Sequence, residues 1–404
     1  MLISYLYDEH PQALFDSRLE LSTMLKINTI LFSTLLASFI LLQAMQDMKP
    51  QIQPLNSSVI DGPYVLYRND SVFIKYIEDN GGIKSVKTDS MPGASRDNAK
   101  ILVYTGEAGK TFSVALKSKL SNEKAEYKNV KKMLVISDIE GNFTAFRKLL
   151  QANGVIDENF NWTFNKDHLV LTGDFVDRGN MVMEVLWLIY SLEEKAKAAG
   201  GYVHFILGNH EIMNMSGDLR YVQTRYPEHA ALMNTEYTQL FGPNTEIGRW
   251  LSTKNVVERV GNILFTHGGI SSYLNIMQLP LKELNDMVRP YYRDSVVTTT
   301  DPKLDILFSD FGPFWYRGYY TGAPRATMGQ VDSTLQLYGV RYIGTGHTVV
   351  ANNISSHFDG KVFDTDVHHA DGHSEALLVE AGKFFRVNGG GEKSPVTPWQ
   401  GQKQ

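Results

Sequence analysis

Five times between Met133 and His347 a short apolar run leads straight into a cluster of carboxylate, amide or imidazole side chains set among glycines. The runs are Met133–Ile136, Leu169–Leu171, Tyr202–Leu207, Ile263–Phe265 and Tyr342–Ile343. The clusters are Asp138-Ile139-Glu140-Gly141-Asn142, Gly173-Asp174-Phe175-Val176-Asp177-Arg178-Gly179, Gly208-Asn209-His210-Glu211, His267-Gly268-Gly269 and Gly344-Thr345-Gly346-His347. Short apolar runs bounded by turn residues read as buried strands. Segments of helical apolar spacing lie between or after them: Phe143–Asn153, Met181–Ala199, Glu228–Phe241, Glu246–Ser252 and Leu281–Tyr291. Leu377–Glu380 and Phe384–Val387 read as closing strands. Strands alternating with helices give an α/β layered fold. Gathered at one edge of a sheet, the five polar loops would form a dense cluster of metal ligands.

That cluster points to metal-assisted attack of water on a phosphate ester. A two-metal hydrolase needs a carboxylate shared by ions about 4 Å apart, further terminal ligands and open positions for water and substrate. Asp174 is the candidate bridge. Asp138 and Glu140 are two residues apart, so on an extended segment they point to one side. Asn209 offers an amide oxygen, and His267 and His347 offer imidazole nitrogens. His210 is placed to protonate a leaving oxygen, Asp177 to orient that ring, and Arg178 and Arg317 to grip a phosphate with their planar forks. Asp366, His368 and His369 form a polar cluster after a strand that can line the same site. No chemical role is assigned to His168, His204 or His229, and His204 is expected within a strand.

Composition narrows the field. The chain has no cysteine, which excludes disulfides, thiolate metal sites and cysteine nucleophiles. Its net charge of −5 supplies no basic field to attract nucleic acid. The apolar stretch Ile27–Met45, after Met24 and Lys26, reads as a signal peptide or N-terminal membrane anchor, with a buried amphipathic helix as the plainer alternative. Either export reading places the rest of the chain outside the cytoplasm, in the periplasm or facing it. Residues 46–61 suit a linker, 62–130 a small β-rich domain, and 389–404 a frayed tail. Residues 213–260 read as a helical cap. Its Tyr221, Tyr226 and Tyr237 are taken first as packing residues and second as walls of a substrate pocket.

The blocks resemble the calcineurin-like metallophosphoesterase superfamily, whose pattern is D-x-H, G-D-x-x-D-R-G, G-N-H-E, H and a late G-x-H. The Trp315-Tyr316-Arg317-Gly318 segment and the run from Asn209 to Tyr221 are similar to the phosphoprotein phosphatase branch, most of all to the bacterial Shewanella-like phosphatases. The resemblance covers about Met133 to Val387 and implies a catalytic domain over 131–388. It implies a central β-sandwich flanked by helices, with a dinuclear site at one edge. Asp138, Asp174, Asn209, His267 and His347 would be ligands, His210 the acid, Asp177 its partner, and Arg178 and Arg317 the phosphate contacts. The implied reaction is phosphomonoester hydrolysis by a hydroxide bridging two divalent ions, with a phosphorylated small molecule or a phosphoserine, phosphothreonine or phosphotyrosine peptide as substrate. Phosphodiester or dinucleoside polyphosphate cleavage is the second enzymatic reading, and a non-catalytic metal-binding or phosphopeptide-binding module the third.

Glu140 departs from the pattern, which has histidine there. A carboxylate at that place can still ligate, and as a harder donor it favours Mn or Mg over Zn, with Mn first and Fe as a further candidate. Alternatively the change leaves the first metal position empty.

Overall fold

The computed structural model of the chain describes residues 58–107, 110–298 and 300–398. The Ile27–Met45 stretch and most of the 46–61 linker lie outside the described residues. Among the described residues no helix is long and apolar enough to cross a membrane.

Two large sheets form the centre. One has six strands in the order Lys393–Pro395, Lys383–Asn388, Glu375–Glu380, Lys132–Ile136, His168–Leu171 and Tyr202–Phe205. The other has seven, in the order Thr397–Pro398, Ser355–His357, Val362–Asp364, Tyr342–Thr345, Ile263–Thr266, Val257–Val260 and Glu126–Tyr127. Side chains alternate along a strand between the two faces of its sheet. Met133, Val135 and Val170 from the first sheet meet Val260, Ile263 and Phe265 from the second in one buried layer. Leu134, Ile136, Leu169, Leu171 and Leu264 point the other way, into the larger core shared with the helices. Both faces of these strands are therefore covered, which is why they read as unbroken apolar runs. The result is a β-sandwich flanked by helices.

Lys132–Ile136, His168–Leu171 and Tyr202–Phe205 run parallel, as do Ile263–Thr266, Tyr342–Thr345 and Val362–Asp364. All six carboxyl ends lead into polar loops, and crevices at such ends are where open α/β sheets place ligands. Beneath those loops the sheets are tied by small hydroxyls. Thr365 Oγ1 donates to the Thr345 carbonyl at 2.7 Å, and lies 3.1 Å from Ser137 Oγ and 3.4 Å from Thr172 Oγ1.

The helix Val182–Ala199 joins the layers. It ends at Gly200, whose φ of +81° makes a left-handed cap that glycine adopts without steric penalty. Trp187 is fully buried and donates its indole N–H to the Pro63 carbonyl at 2.8 Å. Truncating it to alanine would cost about 3–5 kcal/mol.

The β-rich segment forms a three-stranded sheet of Val59–Arg68, Ser71–Asn80 and Ile83–Pro92, and a hairpin of Lys100–Tyr104 with Thr111–Ala115. Val72, Ile74, Ile101 and Phe112 belong to the same buried cluster as Phe143 and Trp187, so its core is continuous with that of the sandwich. It also buttresses residues 225–249. Buried His229 and Asp61 are 2.6 Å apart, Lys75 donates to the Met233 carbonyl, and the Tyr67 N–H donates to the Asn244 carbonyl.

Three local expectations are corrected. The helix expected over Glu228–Phe241 is two pieces, Arg225–Leu232 and the 3-10 turn Tyr237–Phe241, because Asn234 takes a left-handed φ of +56° and ends the first. Residues 393–398 of the tail are paired: Lys393–Pro395 extends the first sheet and Thr397–Pro398 the second. Their polar composition is that of edge strands, which face water on one side. Within the expected linker, Val59–Asp61 already belongs to the first strand.

Candidate active site

Loops at five of the six strand ends, together with Arg317, line a cavity of about 430 Å³ through Asp138, Glu140, Asp174, Arg178, His210 and His347. Asp366, His368 and His369 line it as well, from the loop after Val362–Asp364. Asp177, Asn209 and His267 lie buried among these loops.

Backbone strain is concentrated here. Asp138, Glu140, Asp174, Asp177, Arg178 and His347 all have φ between +49° and +69°. Left-handed backbone at residues bearing a Cβ costs of order 1–3 kcal/mol each and persists only where the surroundings impose it. The expectation that Asp138 and Glu140 sit on an extended segment is corrected accordingly. Their loop is laced to its neighbour by Asp138 N–H to the Gly173 carbonyl and Glu140 N–H to the Asp174 carbonyl, each at 3.0 Å, and this register forces the turn. Glycine is required where the loops touch. A Cβ on Gly208 would fall 2.2 Å from Asp174 Oδ1, and one on Gly346 would fall 2.4 Å from Asp138 Oδ2.

At the floor, one ligand atom each from Asp174, His267 and His347 lie within 4.8 Å of one another, and all three residues are buried. His267 Nδ1 is 2.7 Å from the Thr172 carbonyl, an acceptor only, so Nδ1 carries the proton. Nε2 faces Asp174 Oδ2 and Asn209 Oδ1, both at 3.0 Å. Burial works against a charge on this ring, but Asp174 raises its pKa to about 9, so a positive charge sits where these groups meet, a place that a metal ion would take over from the proton. His347 Nε2 is buried without a hydrogen-bond partner, and its amide N–H donates to Asp138 Oδ2 at 3.1 Å. The electrostatics agree. Burial and the neighbouring Asp174 charge push the Asp138 carboxyl up to about 6 despite His267. Burial, with the Asp138, Asp364 and Asp174 charges, pushes Asp366 well above the carboxylate range. Burial works against the Asp174 charge, but His267 and His210 together hold its pKa below the usual value. Crowded buried carboxylates of this kind suit a divalent ion. Asp138, Asp174, Asn209, His267 and His347 therefore fit a metal centre. The Glu140 carboxylate turns away from that group and pairs with Arg178.

On the substrate side, His210 Nδ1 is 2.6 Å from Asp177 Oδ2, and Asn214 donates to Asp177 Oδ1 at 2.8 Å. His210 Nε2 faces the floor, 3.7 Å from Asp174 Oδ2. Burial works against its positive charge, but Asp174 and Asp177 raise its pKa above the ordinary histidine value. The Arg178 guanidinium lies 4.8 Å over the Tyr221 ring, and that ring is 4.9 Å from the His210 imidazole. Arg317 donates to the His347 carbonyl at 2.5 Å and to Thr348 Oγ1 at 3.2 Å. Of the cap tyrosines, Tyr226 and Tyr237 are packing residues, buried in the core, whereas Tyr221 is 40% exposed beside the site.

Two residues with a part in the geometry had been given no role. Glu211 is fully buried, and its carboxylate accepts the N–H groups of Asp174, Phe175 and Gly208 at 2.8–2.9 Å, pinning two ligand loops together. Asn214 holds Asp177. Glu211 had a visible signal in its place within Gly208–Glu211, three residues after the helix N-cap. Asn214 had none.

The family model described as calcineurin-like phosphoesterase matches residues 131–351. The Shewanella-like protein phosphatase 1 of Plasmodium berghei is 28% identical over 232 residues, 55% of this chain and 63% of that protein. An uncharacterised protein of Schizosaccharomyces pombe is 29% identical over 274 residues, 64% of this chain and 79% of its own length. The crystal structure of a cold-active protein-tyrosine phosphatase from a psychrophilic Shewanella superposes with a TM-score of 0.75 at 35% identity, covering 83% of this chain and 99% of that one.

Proposed function

The chain belongs to the calcineurin-like phosphoesterase family and hydrolyses phosphoesters, and we propose that its substrates are phosphomonoesters carried on proteins. The observation that carries this reading is the Asp177–His210 pair, which opens onto the same cavity as Asp174 and two arginines. His210 is positioned to give a proton to a leaving oxygen while Asp177 holds its ring. Arg178 and Arg317 supply planar donors suited to a phosphoryl group that carries two charges, which favours a monoester over a diester. The similarity to proteins described as protein phosphatases supports a protein substrate.

Asp138, Asp174, Asn209, His267 and His347 would hold two divalent ions. When bound, such ions polarise the phosphoryl oxygens and lower the pKa of the attacking water. The mixture of carboxylate, amide and imidazole donors supports Mn first, with Fe or Zn next. We also propose the division into a catalytic region over 131–388 and an export segment within residues 1–45. Fractionation of cells, with protease access to the intact chain, tests the latter, and a wholly cytoplasmic protein would overturn it.

The test of function is metal analysis together with turnover of p-nitrophenyl phosphate and its bis ester, on the chain stripped and refilled with each metal. Two metals per chain, preference for the monoester and a loss of 10²–10⁴-fold in His210→Asn are expected. Preference for the bis ester would make the protein a phosphodiesterase.

A further inference from the structure

The side chains of the floor are buried at the bottom of the cavity, but Glu140 sits nearer its rim. The side chains of Asp174 and His267 are 3% and 0% exposed, against 21% for Glu140 and 45% for Arg178. Asp138 and Glu140 both lie outside the Asp174, His267 and His347 group, but Asp138 Oδ2 is tied to it by the His347 N–H at 3.1 Å, whereas Glu140 Oε1 is ion-paired to the Arg178 guanidinium. Arg178 is fixed from the other sides as well. Its ring neighbour is Tyr221, its N–H donates to the Tyr221 carbonyl at 3.0 Å, and its carbonyl accepts from Gln223 Nε2 at 2.7 Å. Arg317 differs, because its partners are a carbonyl and a hydroxyl, neither of them an anion.

We propose that Glu140 is a positioning residue for Arg178 and not a metal ligand: its carboxylate holds the guanidinium against Tyr221 until the phosphoryl group of the substrate takes its place. The inference rests on the phosphatase reading above for the identity of the incoming anion. Carboxylate and phosphate compete for the same planar donors, and phosphate brings more charge and more acceptor oxygens. Because the pair is partly exposed, solvent weakens it, and it biases the arginine by no more than about fivefold. The pair occupies the Arg178 guanidinium in the empty enzyme and helps product phosphate leave, since Glu140 reclaims it.

The experiment is calorimetric titration of inorganic phosphate into the purified full-length chain, metal-free and metal-loaded, with metals counted per chain. Glu140→Gln keeps the shape and removes the competing charge. Its phosphate Kd is expected to fall about three- to fivefold, the KM for p-nitrophenyl phosphate to fall with it, and the metal count to match that of the unaltered chain. In an Arg178→Gln background, Glu140→Gln is expected to leave the Kd unchanged. Loss of a metal in Glu140→Gln, an unchanged or weaker phosphate affinity, or an equal effect with and without Arg178 would each overturn the proposal. The phosphate titration reads the pair without turnover, so a chain that binds phosphate in this pattern but hydrolyses nothing would count against the phosphatase reading and leave this one standing.

Discussion

His210 and Asp177 are joined through a 2.6 Å contact between Nδ1 and a carboxylate oxygen, and the other oxygen of that carboxylate is occupied by Asn214. The ring is therefore held from behind with its Nε2 toward the floor. Asp177→Asn preserves the shape but removes the charge that orients the imidazole. We expect kcat for p-nitrophenyl phosphate to fall about 10²-fold, with metal content equal to that of the unaltered chain. A kcat within threefold would show that Asp177 is not the orienting group.

Gly208 is where two ligand loops come closest. Gly208→Ala would drive a methyl group to 2.2 Å from Asp174 Oδ1, a distance that backbone or ligand must relieve. The expected result is a folded chain with weakened metal binding and turnover at least 10²-fold lower. Metal analysis after dialysis, alongside circular dichroism, checks it. Full metal retention would mean that the loops yield more easily than their shared Glu211 anchor implies.

Asp61 and His229 stand 168 residues apart in the chain and meet in the core. Asp61 also accepts the Tyr64 hydroxyl at 2.7 Å and the Gly62 N–H at 2.8 Å. Asp61→Ala strands these donors in a buried place, at a cost of about 3 kcal/mol. Thermal unfolding should move down by several degrees, while kcat per folded chain stays within twofold because the pair lies outside the site. A large loss of kcat at full fold would instead tie the β-rich segment to the chemistry.

The His357 contribution to stability should fall on acidification. Burial, with Arg325 nearby, pushes the His357 imidazole down to about 4. Between about 4 and the ordinary value near 6.5, the unfolded chain takes up this proton and the folded chain does not. Its contribution is complete above pH 6.5 and lost as pH falls through 4, at up to about 1.4 kcal/mol per pH unit. His357→Gln should flatten that limb in denaturant titrations at pH 7 and 5. Parallel curves for the two proteins would exclude His357 as a source.

Much of the site was legible because its residue types are unusual after an apolar run. Asp174, Asn209 and His267 each follow a strand too short and too buried to end in chance polarity, and the structure sets them within a few ångströms of one another. Glu211 was visible by its place in Gly208–Glu211, but its task was not, since a carboxylate that accepts three backbone N–H groups looks in sequence like any other acid. The same holds for the buttress, since nothing local in Asp61 announces His229. Residues 393–398 misled because edge strands and frayed tails share a polar composition. The left-handed turn at Asp138 and Glu140 is imposed by hydrogen bonds to the neighbouring loop, which no local pattern encodes.

The ties that join the Thr365 hydroxyl to Ser137, Thr172 and the Thr345 carbonyl beneath the loops have a wider consequence. They are made by short side chains with little freedom, bound to backbone and to one another at the seam between the sheets. Depth in this molecule thus separates two kinds of change. A substitution at the seam acts where the loops of Asp138, Asp174 and His347 begin, whereas one at the level of Arg178 and Tyr221 acts at the mouth of the cavity and leaves the foundation alone. Divergence in this scaffold has its cheapest path at the surface, and new preferences can be layered there on an unaltered base.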